Sequence, residues 1–357
     1  MVDMNNRSVN MVKIEAGSSN AVTGVETSAN YRTLWGADGL DVKGVDTAAE
    51  AMAAAGLDWT VSKQPLIYKA FNRGDVGPAG TTVFNDAYAD CGHYGMIRSS
   101  DRSCLGVVGA RYEPVQNHEA FNFVDKLVHE GHLEYEIAGS LKGGSKIWLQ
   151  AKLNEYEVAE GDTMKNYLLL YNTHNGTGAL KALFTDVRVW CSNTANAAVK
   201  NGSGISLRHT PSVHSRLNDA AEVLGFITAE SVLREEQNKW LVGQSMNTAQ
   251  LTNFVEKLIP VRNEADADKV TKRGSTRADN RRAEIINLFE HGTGNHLAGV
   301  RGTRWAAYNA VTEYINYEKK VKGEETTGTG SASRMESALF GQGAKFIKQA
   351  RGILMAA

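Results

Sequence analysis

The sequence predicts an α+β protein: an antiparallel sheet built from successive hairpins, covered by helices, with a helical C-terminal part. Three observations point there. Strand-like runs joined by short polar or Gly-Gly turns fill the middle of the chain. After Ser206 the apolar residues recur at helical spacing. Strands in runs followed by helices, without regular alternation, mark α+β rather than parallel α/β architecture.

The elements follow in order. Residues 1–30 are polar and aperiodic, a flexible arm. In "VDTAAEAMAAAGLDW" Thr47 and Glu50 form a capping box, alanines fill the body, and Gly56 sits where a helix stops. "DWTVSKQPLIY" reads as a strand that Pro65 breaks or confines to an edge. "HYGMIRSSDRSCLGVVGARYEPV" is two strands around a turn at Ser99–Ser103. "NHEAFNFVDKLVHEGH" is an amphipathic helix with Phe121, Val124, Leu127 and Val128 on one face and Gly131 ending it. In the next hairpin Leu133, Tyr135 and Ile137 alternate against Ile147, Leu149 and Ala151, with Gly143-Gly144 turning between them. "NYLLLYNT" and "ALKALFTDVRVWC" pair through "HNGTG"; both are apolar on both faces, which places them centrally. Helices follow over "SVHSRLNDAAEVLGFITAESVLREEQNKWLV", "NTAQLTNFVEKLIP", "RRAEIINLFEHG", "GTRWAAYNAVTEYINYEKKVK" and Arg334–Leu354, with "GEETTGTGSAS" as a linker. The chain thus divides into the arm (1–30), an α+β core (31–262), a connector (263–280) and a basic helical region (281–357).

At 357 residues, 42% hydrophobic and 22% charged, the chain has the make-up of a globular protein with one large or two modest domains. Net charge is −1, so global charge gives no sign of a polyanion-binding protein. The distribution is uneven. Residues 271–357 hold fourteen Lys/Arg and eight Asp/Glu; with 39 and 40 in the whole chain, residues 1–270 hold 25 and 32. Such asymmetry can mark a basic face. Three cysteines make no disulfide framework and suit a reducing cytosol. The first twenty residues lack the apolar centre of a signal peptide, and no apolar run is long enough to span a membrane, so a cytoplasmic location is expected.

Chemistry-bearing motifs are sparse. Cys191 ends a strand-like run just before Ser192, Asn193, Thr194 and an alanine-rich stretch. It is either a thiolate activated at a helix N-terminus, with His174 as base, or a small buried residue preceding a cap at Asn193 or Thr194. The second reading is favoured, because twelve strand steps, about 40 Å, separate Cys191 from the hairpin turn that carries His174. Cys91, His93, Cys104 and His118 have zinc-ligand chemistry, but the hairpin register sets the two thiols about 20 Å apart, so no metal is expected. No phosphate-loop fingerprint is present, and no cofactor is expected. Near the C-terminus, Trp305, Tyr308, Tyr314 and Tyr317 interleave with Arg301, Arg304, Lys319, Lys320 and Lys322. Rings stack bases and cations hold phosphates, the combination used on single strands. Arg98, Arg102 and Arg111 on the first hairpin form a second cationic candidate.

"TAAEAMAAAGLDWTVSKQPL", "GVVGARYEPVQNHEAFNFVDKLV", "AGSLKGGSKIWLQAKL", "NTHNGTGALKALFTDVRVWCSNT" and "GTRWAAYNAVTEYINY" together resemble the phage/plasmid-like protein family defined by domain of unknown function 932. In that family the fourth segment reads closer to His-Asp-Gly-Ser and Val-Val-Cys-Gln-Asn-Thr; here Asn175 replaces the acid and Trp190 a valine. The resemblance implies a mobile-element setting in a bacterial host cytoplasm and no particular activity. By analogy with phage annealing proteins, the expectation is a non-enzymatic, oligomeric, single-stranded-DNA-binding protein. Arg98, Arg102, Arg111, Arg301, Arg304, Lys319 and Lys320 would hold phosphates, and Trp305 and Tyr308 would stack bases. An enzyme using Cys191 in an unrecognised pocket and an oligomeric scaffold or host-interaction protein are the alternatives.

Overall fold

The computed structural model describes residues 39–76, 82–130, 132–189, 193–195, 204–217, 220–260, 272–319 and 330–356. The expected arm at 1–30 lies outside them. The architecture is α+β, as the sequence indicates. Its centre is a seven-stranded antiparallel sheet of β1 (Gly39–Asp41), β5 (Glu134–Leu141), β6 (Lys146–Ala159), β7 (Asp162–Thr173), β8 (Leu180–Arg188), β9 (Asn193–Ala195) and β10 (Gly204–Leu207). The order is β1-β5-β6-β7-β8-β10, with β9 also pairing with β8. A second sheet, β2-β3-β4, comprises β2 (Val61–Val76), β3 (Thr82–Arg98) and β4 (Cys104–Val108).

Strands β7 and β8 are buried along almost their whole length, as their doubly apolar sequences require. Ile147, Leu149, Leu168, Leu170 and Phe184 join an apolar cluster with α1 (Ala48–Ala54), α2 (Asn117–His129) and the base of the second sheet. Trp148, Leu169, Tyr171 and Leu183, one residue out of phase, join a second cluster. It is completed by α5 (Thr248–Leu258), α6 (Lys272–His291), α7 (Arg304–Glu313), α8 (Gly330–Phe340) and α9 (Gln342–Ala356). The short α3 (Val213–Arg216) and the long α4 (Ala220–Gly243) come between; α4 touches both clusters, through Ile227 and Leu241. Among the described residues no helix is long and apolar enough to cross a membrane.

Local sequence chemistry explains the joints. Thr47 and Glu50 make the reciprocal capping box on α1, and Asn247 with Gln250 makes another on α5. Pro65 lies at a bulge of the edge strand β2, where a missing N–H is tolerated. The β5–β6 turn needs Gly144: its φ is +88°, and a Cβ there would lie 2.6 Å from Arg98 Nη1.

Four expectations change. A bulge between Tyr135 and Ile137 breaks the alternation, so Tyr135 packs with the α1–α2 cluster and Ile137 with the other. Asn193 and Thr194 do not cap a helix; they pair with Val187 and Arg188 as β9, because the β8 edge offers backbone groups there. Helix α6 begins at Lys272, inside the stretch read as connector. The tail helix is two helices, α8 and α9, and α8 starts at Gly330 within the expected linker.

Candidate functional site

The expected phosphate and base contacts fall into three groups. Trp305 and Tyr308 are fully buried, which overturns their assignment as base-stacking residues. Every residue from Trp305 to Glu313 is buried, so α7 is a central helix packed all round rather than a surface helix. The Trp305 indole donates to Asp162 Oδ2 at 2.8 Å, and the Tyr308 ring lies 4.1 Å beneath the Arg351 guanidinium. Arg98 and Arg304 have intramolecular partners. Arg98 donates to both Asp101 oxygens and to Gly143 O and lies over Trp59; Arg304 donates to Leu354 O at 2.8 Å and lies over Trp240. The Arg98 guanidinium holds the Asp101 carboxyl well below the usual range. Arg102, Arg111 and Arg301 are exposed, Lys319 is half-buried, and Lys320 lies outside the described residues. So does Cys191.

Lys319 opens onto one of two cavities, each lined by two cations and by no acid among the described residues. This one, about 340 Å³, is lined by Leu258–Pro260, Arg281, Lys319, Gln342 and Phe346, with no acid among them. Arg281 is positioned by rings, 5.1 Å from the Phe346 centroid and 5.9 Å from that of Tyr314. Burial, then the positive charges of Arg281 and Arg334, push the Lys319 ammonium below its ordinary value. Like charges crowd here, and an anion would relieve them. A second cavity, about 300 Å³, carries Lys257 and Arg304 between α5 and the end of α9. The two lie roughly 10 Å apart along α9, from Phe346 to Ile353 at 1.5 Å per residue. Lys345 and Lys348 are exposed on α9, which contains no carboxylate. Glu256 is the one acid on α5.

Two buried polar networks lie next to this face, and sequence reasoning assigned neither. In the first, all five N–H donors of Arg188 are satisfied. Nε and Nη2 donate to Asp162 at 2.6 and 2.8 Å, Nη1 to Thr293 O and Asn295 Oδ1, and Nη2 also to Gly294 O. This closed network ties β7 and β8 to the loop before α7. In the second, Asp186 is fully buried, with the charges of Arg234 and Arg351 and the Asn238 amide acting on its carboxylate. Burial pushes its carboxyl up, opposed by the charges of Arg234 and Arg351. The available signal was Asp186 and Arg188 standing in a strand apolar on both faces, where charges survive only with partners.

His174, weighed as a base for Cys191, is buried with Nε2 donating to Asn117 Oδ1 at 2.8 Å. Burial, with a contribution from His209, lowers it to about 3; burial lowers His209 to about 4. Both stay neutral in the folded chain while their unfolded counterparts titrate near 6.5. Unfolding therefore takes up protons between about pH 4 and 6.5, and stability falls as pH drops through that window. The expected slope approaches two protons, roughly 2.7 kcal/mol per pH unit at pH 5. Urea titrations at pH 5 and 7 check this; equal midpoints would refute it. Of the residues weighed and set aside as zinc ligands, Cys91 and His93 are exposed on β3 beyond the end of β4, and Cys104 begins β4. Among the described residues no group of three His, Cys, Asp or Glu is placed to hold a metal ion.

Fold and site together define an α+β protein whose hairpin sheet is flanked by helices, with a cation-rich face on the C-terminal ones. Residues 104–339, from β4 into α8, match the family model described as Domain of unknown function (DUF932), and the chain belongs to that family. No curated protein and no solved structure matches it. The β2–β3 hairpin and α9 lie outside the matched span.

Proposed function

We propose that this protein binds single-stranded nucleic acid through its phosphates, on the face formed by α5, α9 and the end of α7. The supporting observation is that Arg281 and Lys319 both line a cavity with no acid among its described lining residues. Lys257 and Arg304 line the second cavity, and Lys345 and Lys348 add exposed positive charge on α9. Recognition is of the backbone, not of base identity, because the two aromatics that could have stacked bases are interior. Arg301 lies just before α7 and is exposed. The mobile-element setting that the sequence resemblance implies fits such a role.

Fluorescence anisotropy with a labelled oligonucleotide across a salt series tests this. Micromolar binding at low salt is expected, weakening with log salt by about 0.7 per phosphate held. Absence of binding at low salt ends the proposal.

A further inference from the structure

The cavity of about 340 Å³ joins two cations, Arg281 and Lys319, to a wall that is otherwise neutral, Pro260, Gln342 and Phe346 included. Aromatic faces hold Arg281, whose guanidinium lies 5.1 Å from the Phe346 centroid and 5.9 Å from that of Tyr314. Such contacts use the flat face of a guanidinium and leave its N–H edge for a ligand. The Arg281 Nε is buried and has no hydrogen-bond partner among the described residues. A buried N–H without an acceptor is costly, so this one calls for an acceptor from outside the chain. Gln342, also in the wall, is the first residue of α9, and the opening turn of that helix carries no carboxylate. Its positive end adds to the field of the two side chains.

The charge of the wall selects the ligand. An internal phosphodiester brings one negative charge, whereas a terminal phosphate monoester brings nearly two at neutral pH. A diester leaves one of the two cations uncompensated; a monoester matches both. Burial, then the charges of Arg281 and Arg334, already disfavour the Lys319 ammonium, and a dianion relieves this more than a monoanion does. The volume is near the lower limit for ligand cavities, enough for one nucleotide end rather than a length of strand.

We propose, resting on the nucleic-acid reading above and deepening it, that this cavity holds the terminal phosphate monoester of a single strand. Arg281 and Lys319 donate to the phosphate oxygens. The site thus selects strand ends over strand interiors.

Anisotropy with one internally labelled oligonucleotide in several end states tests this: hydroxyls at both ends, a 5′-phosphate, a 3′-phosphate, and each phosphate capped as its methyl diester. One phosphorylated form is expected to bind about tenfold tighter than the hydroxyl form, the effect of one added charge-assisted contact. Capping that phosphate should remove most of the gain, because the second charge is gone. Lys319→Gln should remove it too, while Arg102→Ala/Arg111→Ala should keep it in full. Equal affinity for every end state overturns the terminal-phosphate site and leaves the nucleic-acid reading standing; no binding of any form ends both. A gain that survives capping, or survives Lys319→Gln in a variant shown by circular dichroism to be folded, also overturns it. Should that variant unfold, the capped forms decide.

Discussion

Arg188→Ala is expected to lower stability by about 3–5 kcal/mol, the cost of removing one partner of a buried ion pair. Arg188 is 1% exposed and Asp162 0%, so neither charge can fall back on solvent. Without the guanidinium, Asp162 keeps only the Trp305 indole among its side-chain donors described above, and the carbonyls of Thr293 and Gly294 lose theirs. Each buried group left unpaired adds a desolvation penalty. Replacing Asp162 as well should not restore stability, because those carbonyls still lack a donor. Against a typical total of about 5–15 kcal/mol, the loss is a large fraction. The urea midpoint measures it, and a shift worth less than 1 kcal/mol would show that the network is not an anchor.

The second large effect is on binding. Lys257→Ala/Lys345→Ala/Lys348→Ala removes three exposed cations from the proposed phosphate track while leaving the ring-stacked Arg281 intact. If each holds one phosphate, the salt slope should fall by about two. Affinity at 0.1 M salt should drop roughly a hundredfold, from a factor of about five per contact. Arg102→Ala/Arg111→Ala, remote in sequence on the β3–β4 hairpin, should change affinity less than threefold. Equal losses from both variants in anisotropy titrations would relocate the contact surface; no loss from the lysine triple would remove the α5–α9 face from consideration.

Much of the architecture was legible because short-range rules agreed with the fold. The Thr47–Glu50 box, the Gly143-Gly144 turn and the doubly apolar β7 and β8 each say locally what the tertiary structure demands. The length of β2 and β3 was not legible, since their distal halves lack a consistent apolar face. The candidate site was read less well, for a definite reason. Trp305 and Tyr308 stand among Ala306, Ala307 and Ala310, small residues that let neighbouring elements close round a helix. Aromatics among cations look the same in sequence whether they face solvent or an interior guanidinium such as Arg351. Lys319 proved cavity-lining only because α5, α6 and α9, far apart in sequence, converge on it. No spacing rule reports such convergence.

The cover over Trp148 and Leu169 is drawn from segments more than a hundred residues downstream, including Trp305–Val311 and Ile347. Glu336 reaches back to Lys142, Lys146 and Tyr171 across a similar span. Closing such large loops is entropically slow, so the hairpins form well before the lid that shields them. During that interval the chain presents a bare hydrophobic sheet, and aggregation competes with completion. Recovery of native protein after dilution from denaturant should therefore decline steeply with chain concentration, whatever the final stability.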